Sequence, residues 1–218
     1  MAGIRTEIIN TTQIMCSDKL VLGTWGNVSA REGQEKMWIT PSGMNYDSLQ
    51  EEDLVLLDLQ GLIHSGRWKP SSEWRLHAAI YRARPECSAI VHTHSPHATA
   101  FAIARQNIPP VVEDLVEVVG GSVEVAAYTL PGTWELAENC VRGLGERNAV
   151  LLANHGLVGV GSTLPEALKV CQIVEKTAQA VLLARLLGPV VELCEEDIRK
   201  MRNFYLNSYG PKLTGEEV

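Results

Sequence analysis

His92-Thr93-His94 closes an apolar run that begins near Ser88, and a third histidine stands in Asn154-His155-Gly156, directly after a second apolar run over residues 149–153. Alternate residues of a strand point to one face, so His92 and His94 can offer two imidazoles to a single ion, with His155 supplying a third from a neighbouring strand end. Three protein nitrogens leave a coordination position open, the arrangement of a catalytic rather than a structural zinc. Taken singly, each histidine is equally well read as a satisfied polar residue. It is the HxH pair together with the Asn-His-Gly turn that points to metal.

Glu73 follows two serines at an expected helix start. A carboxylate there either complements the positive end of the helix dipole or acts as a general acid/base tuned by a nearby metal. Small polar and glycine residues recur in Gly26-Asn27-Val28-Ser29, Thr40-Pro41-Ser42-Gly43 and Ser71-Ser72. Each can be a turn or a cap, yet hydroxyls, exposed amides and a helix N-terminus also make a cradle for one phosphate. Neither GxxxxGK[ST] nor GxGxxG occurs, so a phosphorylated small molecule fits better than ATP or NAD.

These groups need elements to position them. Apolar spacing predicts a first helix over residues 4–22, followed by short strands over 27–31, 37–40, 54–59 and 62–64, with Gly61 and Gly66 as turns. Pro70-Ser71-Ser72 opens a helix over 73–83; a buried strand over 88–92 and a helix over 96–104 follow. Residues 111–119 read as either helix or strand. Beyond them come a strand over 123–127, a helix over 133–145, two strands flanking His155, and helices over 164–187 and 195–205. Strands and helices intermix throughout, which points to a layered α/β/α sandwich around a largely antiparallel or mixed sheet. The whole chain, 1–218, is expected to form one domain with a polar tail from about residue 207.

Composition narrows the function. The chain has 218 residues, 45% of them hydrophobic, and a net charge of −7. Phosphate-backbone binding relies on a dense basic face, so nucleic acid is an unfitting partner. No apolar stretch of about 18 residues exists to span a membrane, and the first residues lack the apolar core of a secretion signal, so the expected location is the cytoplasm. Five scattered cysteines without a CxxC pair argue against a disulfide framework or a cysteine zinc site.

Taken in order, Gly26-Asn27-Val28-Ser29, Ile39-Thr40-Pro41-Ser42-Gly43, Pro70-Ser71-Ser72-Glu73-Trp74-Arg75, His92-Thr93-His94, Gly132-Thr133 and Asn154-His155-Gly156-Leu157 resemble the class II aldolase/adducin family typified by the L-fuculose-1-phosphate aldolases. The likeness runs over nearly the whole chain. It implies zinc, or another divalent metal, one per subunit, held by His92, His94 and His155. Glu73 would stand beside it as an acid/base that also ligates the metal when substrate is absent. Asn27, Ser42, Gly43, Ser71 and Ser72 would hold the phosphate of a ketose 1-phosphate, cleaved reversibly to dihydroxyacetone phosphate and an aldehyde through a metal-stabilised enediolate. Family members are usually homotetramers with interfacial active sites, and the same is implied here.

One departure stands out. The fuculose-phosphate enzymes carry a tyrosine, contributed across the interface, where this chain has Glu113. Glu113 is then either a surface charge or a second acid/base. Ser208-Tyr209-Gly210 matches the family's tail, where Tyr209 can act as a proton donor or simply pack. A carboxylate at 113 keeps a methylthioribulose-1-phosphate dehydratase in view, as well as an aldolase for 5-deoxyribulose or 5-methylthioribulose 1-phosphate. A pentulose-phosphate 4-epimerase and a non-catalytic adducin-like module rank lower, because Glu73 and all three histidines are retained.

Overall fold

A computed structural model describes residues 3–210. Seven α-helices and eight strands lie among them: α1 Ile4–Ser17, β1 Asn27–Glu32, β2 Lys36–Ile39, β3 Val55–Asp58, β4 Ile63–Ser65, α2 Trp74–Ala83, β5 Ala89–Thr93, α3 Pro96–Ala104, α4 Glu113–Val119, β6 Glu124–Ala126, α5 Trp134–Leu144, β7 Ala149–Leu152, β8 Gly156–Gly161, α6 Leu164–Leu187 and α7 Glu195–Asn207. The strands form one sheet in the order β4-β3-β2-β1-β5-β8-β7-β6. Every pairing is antiparallel except β6 with β7.

Strand alternation divides the core in two. Val28, Ala30, Ala89, Val91, Leu151 and Leu157 pack with α1, α3, α4 and α6. Their neighbours on the same strands, Ile90, Val150, Leu152, Val158 and Val160, pack with α2 and α5 on the other face. That period of two builds the expected α/β/α sandwich with a mixed, mostly antiparallel sheet.

Three details differ from the sequence reading. The first helix stops at Ser17 rather than 22, because Lys19 turns the backbone into the left-handed region at φ 59° and releases the chain as a loop. Leu22, expected on an apolar helix face, is exposed. Residues 113–119, ambiguous because valines suit strands while the apolar spacing suits a helix, are helical: Leu115, Val116, Val118 and Val119 are buried. His94 lies one residue past the end of β5. The tail beyond residue 210 lies outside the described residues. All five cysteines are free thiols, and no helix among the described residues is long and apolar enough to cross a membrane.

Candidate metal and phosphate site

β5 is fully buried and pairs with β8, His92 opposite Val158 and Thr93 opposite Leu157. The β7–β8 hairpin carries His155 at its turn. Asn154 adopts φ 55° there, a left-handed conformation that asparagine tolerates better than most residues. Gly156 is required for a different reason: a Cβ at this position would stand 2.2 Å from the Thr93 carbonyl oxygen and 3.3 Å from both the His92 and His94 rings. The sequence Asn-His-Gly thus turns the chain, presents a ligand and lets the hairpin close onto β5.

As a result the three imidazoles converge. Their ring centroids lie 4.8–4.9 Å apart, and one potential ligand atom from each falls within 4.8 Å of the others. Nitrogens around a tetrahedral zinc sit at about 2.0–2.1 Å from the ion, hence about 3.3 Å from one another; His92 Nε2 and His94 Nε2 are already 3.0 Å apart. His92 Nδ1 is 3.0 Å from the Leu157 carbonyl, to which it donates, so Nε2 is the nitrogen turned to the site.

Glu73 holds the N-cap position of α2 without a side-chain cap hydrogen bond and is buried beside this cluster. Its Oε2 lies 3.2 Å from His92 Nε2 and accepts from Asn27 Nδ2 at 2.9 Å. Oε1 is 3.5 Å from His155 Nε2 but has no hydrogen-bond partner, as is true of buried His155 Nδ1. Burial pushes the Glu73 carboxyl up, but the charge and hydrogen bond of His92, the charge of His155 and the Asn27 amide outweigh it and hold the group well below the usual carboxylate range. For His92 burial acts downward, but the charge and the hydrogen bond of Glu73, together with the hydrogen bond to the Leu157 carbonyl, raise it overall. Burial and the neighbouring imidazoles pull His94 down to about 3, and burial and His92 pull His155 down to about 4. At neutral pH these two rings are therefore unprotonated, the form that ligates metal. Three convergent imidazoles and a buried carboxylate with an unpartnered oxygen fit a divalent cation.

The three polar clusters meet beside it. Pro41 and Pro70 form a β-bridge, Ser42 N donates to Lys69 O and Ser71 N to Thr40 O, each at 3.0 Å, which laces the two serine loops together. Asn27 faces His92 across the β1–β5 pairing. One cavity of about 590 Å³ is lined by Asn27, Ser42, Gly43, Ser71 and Ser72 together with Glu73, His94 and His155. Asn27 directs its amide at Glu73 and His77 rather than wholly at the cavity.

Glu113 and Tyr209 do not line that cavity. Glu113 is exposed at the start of α4. Tyr209, 63% exposed, stacks on Tyr205 and borders a separate cleft with Arg84 and Arg202. His64 pairs with Asp58 and His97 with Glu175, both away from the cluster. The sequence reading missed Trp25, whose ring lies 5.8 Å from that of His94 at the cavity mouth. It also gave His77 no specific contact, although this residue is wholly buried two hydrogen bonds from Glu73.

Comparison with known proteins agrees with this geometry. The family model described as Class II Aldolase and Adducin N-terminal domain matches residues 6–182. L-fuculose phosphate aldolase of Escherichia coli (strain K12) is 39% identical over 193 residues, 88% of this chain and 89% of that protein. 5-deoxy-D-ribulose 1-phosphate aldolase of Bacillus thuringiensis serovar kurstaki is 36% identical over 198 residues, 90% of this chain and 92% of that one. A solved structure of an L-fuculose 1-phosphate aldolase superposes with a TM-score of 0.91 at 34% identity, covering 94% of this chain and 98% of its own.

Proposed function

The chain belongs to the class II aldolase and adducin N-terminal domain family and is a metal-dependent aldolase of it; from that premise we propose that it cleaves a ketose 1-phosphate reversibly to dihydroxyacetone phosphate and an aldehyde. One observation carries the reading. The serine-glycine cradle and the imidazole cluster open into the same cavity, so a substrate phosphate and the carbon atoms next to it can be held at once.

The phosphate would be taken by the Ser42, Ser71 and Ser72 hydroxyls and the amide of Gly43, with no lysine or arginine among the described residues that line the cavity. Zinc, or another divalent cation, held by His92, His94 and His155 would supply Lewis-acid stabilisation of the negative charge that develops on substrate oxygens as C3–C4 breaks. Glu73 would move the proton: it gives one to C3 in cleavage and removes it in synthesis. The imidazoles and the Asn27 amide keep the carboxylate ionised against the opposing effect of burial, which keeps it dry between turnovers. Trp25 at the cavity mouth would bound the aldehyde end.

Glu113 and Tyr209 are not among the residues that line the cavity, and on this reading they would reach it from a second subunit. That is in keeping with a homotetramer whose sites lie at interfaces. The substrate is then either L-fuculose 1-phosphate or a 5-deoxy- or 5-methylthio-ribulose 1-phosphate, the latter favoured by a carboxylate in place of the family tyrosine. A coupled triose-phosphate assay over a panel of ketose 1-phosphates, with the dehydration product followed in parallel, tests the reading. Release of dihydroxyacetone phosphate is expected; a diketo phosphate without triose would replace the aldolase by a dehydratase.

A further inference from the structure

β1 and α2 meet along a buried polar seam. Two residues of strand advance about 6.6–6.8 Å and four residues of helix about 6 Å, so positions 27, 29 and 31 keep step with positions 73, 77 and 81. These positions hold Asn27, Ser29 and Arg31 against Glu73, His77 and Tyr81. Arg31 closes the far end, its Nη2 donating to the Tyr81 carbonyl at 2.7 Å with the guanidinium 4.6 Å from the Tyr81 ring centre.

The direction of every hydrogen bond in this seam follows from its first member. An ionised Glu73 only accepts, so Asn27 presents Nδ2 to Oε2 at 2.9 Å. Asn27 Oδ1 is then the atom 2.5 Å from His77 Nε2, and Nε2 must carry the ring proton. Burial above all, reinforced by the charge of His92, keeps His77 neutral, lowered to about 3. Its Nδ1 therefore accepts from the Ser29 hydroxyl at 2.6 Å, and Ser29 Oγ accepts from Tyr81 OH at 2.9 Å. Reversing the order would turn Asn27 Oδ1 onto Glu73 Oε2, move the His77 proton to Nδ1 and leave Tyr81 to donate to the Ser88 carbonyl at 3.5 Å. That arrangement suits only a carboxyl protonated at Oε2.

We propose that His77 is a positioning residue which, through Asn27, reserves Glu73 Oε2 as an acceptor and leaves the buried, unpartnered Oε1 as the oxygen that exchanges a proton with substrate. In cleavage the ionised Oε1 takes the C4 hydroxyl proton as the C3–C4 bond breaks, its electron pair staying on C3 and an aldehyde forming at C4, and the same oxygen then passes that proton to C3. In synthesis the C3–H bond breaks, the same oxygen takes the proton and returns it to the aldehyde oxygen as C3–C4 forms. The proposal rests on the aldolase reading of Glu73 and adds which oxygen acts and what holds the other.

Two measurements test it. Long-range 1H–15N NMR of histidine-labelled, metal-free protein reads the tautomer directly, His77 being assigned by the signal missing from His77→Gln. A neutral ring protonated on Nε2 is expected; a proton on Nδ1, or on both nitrogens, overturns the proposal. In kinetics, His77→Phe should lower kcat roughly 10- to 100-fold while KM for the ketose phosphate and divalent metal per subunit hold, and His77→Gln, which restores a donor toward Asn27, should recover most of that loss. An unchanged kcat in His77→Phe, a parallel loss of metal, or no advantage of Gln over Phe overturns it. If His77→Phe does not fold, Ser29→Ala takes its place and should show the same split in smaller measure; an unaltered kcat there also overturns it. A wild-type enzyme that cleaves no ketose 1-phosphate removes the aldolase reading but not the tautomer, so the two failures are distinguishable.

Discussion

The two faces of β1 are equally buried and opposite in character. Val28 and Ala30 join the apolar core under α1 and α6, whereas Asn27 and Ser29, 4% and 0% exposed, face Glu73, His77 and Tyr81 of α2. On the first face stability comes from apolar area removed from water. On the second, each buried polar group is desolvated and must be matched, and a matched pair contributes little net stability although losing one partner is expensive. A strand that could have been apolar on both sides therefore carries apolar packing on one face and a matched polar seam on the other.

The contrast can be broken or sharpened by substitution. The largest effect is expected at the metal cluster: His155→Ala should lose bound divalent metal and turnover together, read by metal analysis of protein purified without chelators and by the triose-phosphate assay. Glu73→Gln follows, with kcat lower by roughly 10²- to 10⁴-fold while metal content is kept; unchanged turnover would remove Glu73 from the proton transfer. Across the strand, Val28→Ala should cost about 2 kcal/mol in denaturant unfolding and leave kcat per folded molecule as it was. A fall in kcat there would mean that the two faces are not separable.

A separate effect is expected on acid stability. His77 is neutral when folded and lowered to about 3, while in the unfolded chain its imidazole takes up a proton near pH 6.5. Acid therefore favours the unfolded state, and this contribution, fully present above that value, is lost as pH falls toward 3. His77→Gln should flatten the pH dependence of unfolding in that window, measured on metal-free protein.

Much of the fold was legible because periodicity survives in segments with one apolar face. The helices over 96–104 and 164–187 came out with the bounds observed. The histidine cluster of the candidate site was legible through residue types that chemistry restricts, HxH at a strand end and Asn-His-Gly in a turn, and the serines before α2 line the same cavity. The polar seam was not legible. Polar residues at i, i+4 and i+8 of a helix read as a solvated face, and only its partner strand, with polar residues at alternate positions, reveals that the face is buried. The left-handed turn at Lys19 escaped for a simpler reason, since lysine does not mark that conformation. Glu113 and Tyr209 were singled out by resemblance, and a single protomer leaves both outside the cavity.

The lacing of the two serine loops has a consequence for how a phosphate would be received. Their backbones are already tied through the Pro41–Pro70 bridge and its flanking hydrogen bonds. Fixing a residue's backbone costs about 1–2 kcal/mol of conformational entropy; here folding has met that cost before any ligand arrives. Capture then needs no ordering of these loops, and the affinity of so uncharged a cradle can come from its preorganisation.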